Sequence, residues 1–124
     1  MEIAHTAIDA GADLVMGHGP HMPLGIEIYN DKPILYGVGS FSFETGHGDR
    51  TQSDWIGLLL HVATEDGVLT RAAFSFVRHD AQNETIPRPI AAEEPELDHL
   101  RHLSARIGTR LEVEGDEVMV WPKP

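Results

Sequence analysis

Cysteine is absent from the 124 residues. That absence excludes disulfide frameworks, thiolate zinc sites and cysteine nucleophiles together. Basic residues are scarce, with nine Lys and Arg against 20 Asp and Glu and a formal net charge of -11. Nucleic-acid affinity comes mainly from Lys and Arg neutralising phosphates, so no nucleic acid partner is expected. No apolar run approaches the roughly 20 residues that cross a bilayer. The opening Met1-Glu2-Ile3-Ala4-His5 lacks the basic patch and apolar stretch of a signal peptide, and the expectation is a soluble chain. Neither a Walker loop nor a dinucleotide Gly fingerprint appears, and Ser40 has no Gly-x-Ser-x-Gly setting. What is present is a 41% hydrophobic share, enough for one packed domain. The acidic excess and eight His leave an oxygen- and nitrogen-ligated metal site open.

Ile3, Ala4, Ala7 and Ile8 fall on one helical face, with Gly11 as a stop. Asp13-Leu14-Val15-Met16 then reads as a short apolar strand, and a helix running into a strand is half of an α/β unit. Two hairpins follow. Gly25 to Tyr29 turns through Asn30-Asp31-Lys32 into Pro33 to Tyr36, and Trp55 to Thr64 turns through Glu65-Asp66-Gly67 into Val68 to Arg78. The stretch 46–54 between them has no periodicity and reads as a loop. Pro87, Pro89 and Pro95 make residues 82–95 a connector without regular ladders, leading to an amphipathic helix over 96–107 on Leu97, Leu100, Leu103 and Ile107. Acidic residues at its start and Arg101, His102 and Arg106 late in it match the helix dipole. Residues 110–114 and 117–121 form a last hairpin around Gly115-Asp116.

The stretch with chemical content is Met16-Gly17-His18-Gly19-Pro20-His21. Ligands bind outside the carboxyl ends of strands in many α/β folds, because side chains from several loops converge there. A Gly- and Pro-containing loop can turn two imidazoles toward one point, as a borderline divalent metal needs. Two loop histidines at a turn with no metal are the alternative, since two ligands do not fill four to six coordination sites. Glu44, His47 and Asp49 are weaker candidates in the following loop. His61 reads as a hydrogen-bonded core or edge residue, His79 as a strand exit, and His5, His99 and His102 as helical residues facing solvent or capping. Tyr36, Phe41 and Phe43 read as core rather than as a substrate platform.

Gly11 through His21, Gly25 through Tyr29, Pro33 through Tyr36 and Gly39-Ser40-Phe41-Ser42-Phe43 resemble the CapA family of bacterial capsule or poly-γ-glutamate synthesis proteins. Pro87-Arg88-Pro89 and Leu100 through Thr109 look like the family's closing segment, so the resemblance covers most of the chain. It implies an α+β fold, the C-terminal part of a calcineurin-like metallophosphatase β-sandwich flanked by helices. It also implies that His18 and His21 are metal ligands for divalent ions such as Mn, Fe or Zn, with no catalytic base identified. Ser40 stands where the family usually carries Asn, which changes a hydrogen bond near the site.

The family's other ligand motifs lie upstream of this block. The expectation is therefore a single partial domain over 1–124, inactive alone as a phosphoester hydrolase. Its partners would be the missing N-terminal half or a second copy covering exposed sheet edges. The resemblance further implies a capsule-polymer synthesis complex and association with the cell envelope. The competing class is a non-catalytic acidic binding or assembly module of such a complex.

Overall fold

A computed structural model describes residues 1–19, 22–41 and 55–122. Those residues are mainly β-structure, arranged as two sheets with two helices. The chain opens with helix α1 (Glu2–Asp9), which buries Ala4 and Ile8 one turn apart. Ile3, expected on the same stripe, is 87% exposed, so the buried face is narrower than the apolar pattern. Gly11 takes φ 114°, the left-handed conformation that ends the helix as expected.

Strand β1 (Val15–Met16) runs parallel to β3 (Lys32–Leu35), which pairs antiparallel with β2 (Ile26–Tyr29). The β2–β3 turn places Asn30 and Asp31 at φ 47° and 60°, the double left-handed turn whose twist suits a two-residue hairpin. Because side chains alternate across a strand, this small sheet has two apolar faces. Ile34 and Val15 meet Ala4 and Ile8 of α1, while Ile26 and Leu35 face the main core.

The second sheet is built on the hairpin of β4 (Ile56–Glu65) and β5 (Val68–His79). Strand β6 (Thr85–Arg88) pairs with one end of β5, and β8 (Glu117–Trp121) pairs with its middle along the same side. Strand β7 (Glu112–Glu114) lies outside β8. Ile56, Leu58, Phe74, Phe76, Val118 and Val120 form the inner face, and Leu97 and Leu100 of helix α2 (Glu94–Ala105) pack into it. Phe74 and Phe76 meet edge to face at 5.6 Å between ring centroids. Backbone bonds join the sheets at one seam. The Leu58 N–H donates to the Val38 carbonyl at 2.7 Å and the Ser40 N–H to that of Ile56 at 3.3 Å. The Trp121 indole also donates to the Asp31 carbonyl at 2.9 Å, tying β8 to the small hairpin.

The prolines of 82–95 act differently from expectation. Thr85–Arg88 does form a ladder, with Pro87 opposite Val77 on β5. A strand that pairs on one side only can hold a residue without an N–H. Pro95 sits in the first turn of α2, where its N–H would have no partner anyway, so the helix starts at Glu94 rather than at 96. A 3-10 turn, Ile90–Glu93, leads into it. Phe41 is 52% exposed and Tyr36 half-buried, so neither is a full core residue, and Phe43 lies outside the described residues. Among the described residues, no helix is long and apolar enough to cross a membrane.

Candidate functional site

His18 stands two residues past the end of β1 and is exposed. Since β1 and β3 are parallel, with Met16 beside Leu35, the loops that leave them start from the same edge of the small sheet. Gly17 holds that start in place. Its N–H donates to the Leu35 carbonyl at 2.7 Å, and a Cβ added at Gly17 would run into the Tyr36 carbonyl. Glycine is therefore the residue that lets the His18 loop leave so close to β3. His21 lies outside the described residues, as do Glu44, His47 and Asp49. Ser40 is buried, with its N–H on Ile56 across the seam.

Among the described residues, no group of three or more His, Asp or Glu comes together that could hold a metal ion. They offer His18, an exposed imidazole on a strand-tip loop, and do not by themselves build a cation site. No hydrolytic step follows from them.

The polar cluster nearest this loop is one the sequence patterns did not single out. His5 was expected to face solvent or cap a helix. Instead its ring stacks on Tyr29, with centroids 3.8 Å apart and planes 4° apart. Its Nε2 lies 2.6 Å from Glu27 Oε1, and because an ionised carboxylate only accepts, Nε2 is the protonated nitrogen. The Tyr36 hydroxyl donates to the same oxygen at 2.6 Å. Burial pushes the Glu27 carboxyl up, but the bonds from Tyr36 and His5 and the charge of His5 outweigh it, leaving the carboxyl below its ordinary value. Burial and then the Glu27 carboxylate push the Tyr36 phenol well up, so it stays a donor. Tyr29 donates to Asp9 at 3.1 Å, and Asn30 to the same side chain at 3.0 Å. The cluster clamps α1 onto β2 and onto Tyr36, the residue after β3, whose carbonyl lies against Gly17. A signal was available: Glu27 alternates with Ile26 and Ile28 on a strand whose two faces are both covered.

The remaining histidines are structural or at the surface. His61 lies 2.9 Å from the Ser75 hydroxyl as an edge residue, and His79 is buried with Nε2 on the Phe41 carbonyl at 2.8 Å. His99 and His102 are exposed on α2, as expected. A second polar knot lies where β5 ends beside β6. There Glu93 receives Arg78 through two bonds of 2.8 Å and Arg88 through one of 2.9 Å. The Arg78 bonds hold the Glu93 carboxyl below its usual range against the opposing effect of burial, and Arg88 adds to that.

Comparison with known proteins places the informative residues in one part of the chain. Residues 1–45 match the family described as bacterial capsule synthesis protein PGA_cap. A probable polyglutamine synthesis accessory protein of Mycobacterium tuberculosis is 64% identical over 36 residues, covering 29% of this chain and 10% of that protein. The PGA biosynthesis protein CapA of Bacillus subtilis is 44% identical over 45 residues, 36% of this chain and 12% of its own. An uncharacterized protein of Sinorhizobium fredii is 52% identical over 42 residues, 34% of this chain and 9% of its own. The matches thus span about a tenth of each relative's length. The family match includes the His18 loop and the Glu27–Tyr36 pair, and ends before the later blocks at 87–89 and 100–109. Over residues 1–45 the chain thus matches the bacterial capsule synthesis protein family PGA_cap, and there it is similar to proteins named CapA.

Proposed function

We propose that the chain serves capsule or polyglutamate synthesis, and that His18 and His21 supply two imidazoles to a divalent-metal phosphoester-hydrolase site. Mn, Fe and Zn suit such ligands, and paired cations of this kind polarise a phosphoryl oxygen and lower the pKa of a bound water. The reading rests on one observation. The family match spans the loop that carries both histidines, and the described part of that loop leaves from the carboxyl end of a parallel strand pair. The remaining ligands would come from outside these 124 residues. The fold in which that happens would be a metallophosphatase-like sandwich, and this chain alone would be inactive.

The test compares Mn²⁺ and Zn²⁺ binding by the chain with binding by the His18→Ala/His21→Ala double variant. One weakly bound ion is expected in the first and is lost in the second. Equal metal content in both proteins overturns the ligand assignment and leaves a non-catalytic assembly module as the reading. Phosphoesterase activity in the isolated chain would overturn the expectation of inactivity.

A further inference from the structure

A groove of about 590 Å³ lies between α2 and β7, outside the family match. One wall is α2, through Arg101 and Ala105, four residues apart on one helical face. The other wall is the run from Thr109 to Val113, which enters β7. Leu111 and Val113 give that wall apolar character. Strand β7 pairs with β8 on one side only among the described residues, so it is an edge strand. Glu114 and Glu117 flank the two-residue turn and form a hydrogen-bonded pair in such a hairpin. Val113, one residue further, then turns its N–H and carbonyl away from β8 toward the open side.

Two charged groups complete the groove. Arg101 and Arg110 bring guanidinium groups to it in a chain of net charge -11. Thr109 is 5% exposed, yet its hydroxyl has no hydrogen-bond partner among the described residues. Both arginines have acidic neighbours already. Arg110 lies 2.6 Å from Glu112, which also lines the groove, and Arg101 lies 3.8 Å from Asp98. These pairs are exposed and weak, so an incoming carboxylate exchanges with them at little cost.

We infer that this helix–strand groove binds the carboxylate terminus of an extended, apolar peptide segment. The free carboxylate meets Arg101 and Arg110. The peptide backbone adds to the open side of β7, and an apolar side chain rests on Ala105, Leu111 and Val113. The site is independent of the metal reading and stands or falls separately from it.

Calorimetric titration of the full chain with acetyl-Ala-Leu-Val tests this, against the same peptide as its C-terminal amide. The acid is expected to bind at least about tenfold more tightly than the amide, because only the acid offers a charge-assisted acceptor. Arg101→Gln and Arg110→Gln each weaken the acid several-fold. Glu112→Gln strengthens it by freeing Arg110, which a merely structural role for these residues does not anticipate. Succinate in place of the peptide separates a bare anion site from a peptide groove: weaker binding than the peptide supports the groove, and equal binding overturns it. No saturable binding of the acid at millimolar concentration, or equal affinity for acid and amide, also overturns the inference.

Discussion

The two ends of this molecule are stabilised by different chemistry. Around α1 and the small sheet, the separate apolar cluster is only Ala4, Ile8 and Ile34 with their half-buried neighbours, and the helix is fixed by His5, Glu27, Tyr29, Tyr36 and Asp9. Around the large sheet, Phe74, Phe76, Leu100, Val118 and Val120 are closed off from water. Yet the family match lies over the polar end, which has the smaller core. The apolar sheet is where stability is concentrated, and the polar end is where the chain carries its family signature. A strand-tip loop needs a firm base more than a large one, and short directional bonds supply that with few residues.

The contrast can be broken most strongly at Phe74. Phe74→Ala is expected to cost about 3–5 kcal/mol in urea unfolding, because it removes a fully buried ring from the common core. A loss near 1 kcal/mol would mean that the large sheet is not the main source of stability.

The seam between the regions comes next. Gly39 has φ 72°, and a Cβ there would meet the Ile56 carbonyl. Gly39→Ala is expected to cost about 2–4 kcal/mol, with amide exchange accelerated at Leu58 and Ser40 together. Unchanged protection at both amides would show that the bridge does not couple the sheets.

At the polar end, Glu27→Gln is expected to cost about 1–3 kcal/mol and to loosen α1 while leaving β5 protected. The pH dependence has a definite sign. Glu27 and Glu93 both lie below their ordinary value of 4.5 in the folded chain, so the folded state binds fewer protons than the unfolded one near that pH. Their contribution is complete above the unfolded value and drains away as pH falls through and below it. Glu27→Gln and Glu93→Gln should each flatten that acid limb, and an unchanged limb in both would exclude these carboxylates as its source.

The smallest effect is expected at Lys32, whose amino group pairs with Asp13 at 2.9 Å at the surface. Lys32→Ala should change stability by less than about 1 kcal/mol, falling further in salt.

Local sequence settled much of this fold. The turns Asn30-Asp31 and Asp66-Gly67 carry residues that accept left-handed conformations, and both hairpins form around them. Helix α2 was legible from Leu97 and Leu100, and the His18 loop from the glycines flanking it. Proline misled because its effect depends on whether a partner needs its N–H, which no local window contains. Pro87 is harmless on β6 for that reason.

His5 and Thr109 show the same limit. Helix position indicated that His5 would face solvent or cap, but its ring lies between a strand tyrosine and a carboxylate brought from 22 residues away. Nothing around Thr109 in the sequence foretells a buried hydroxyl in a groove between α2 and β7. Periodicity and turn chemistry act over a few residues, so the sequence alone determined which segments become helix, strand and turn. Which faces meet, which charges share a partner and where a groove stays open depend on contacts between distant segments, and only the tertiary structure decided those.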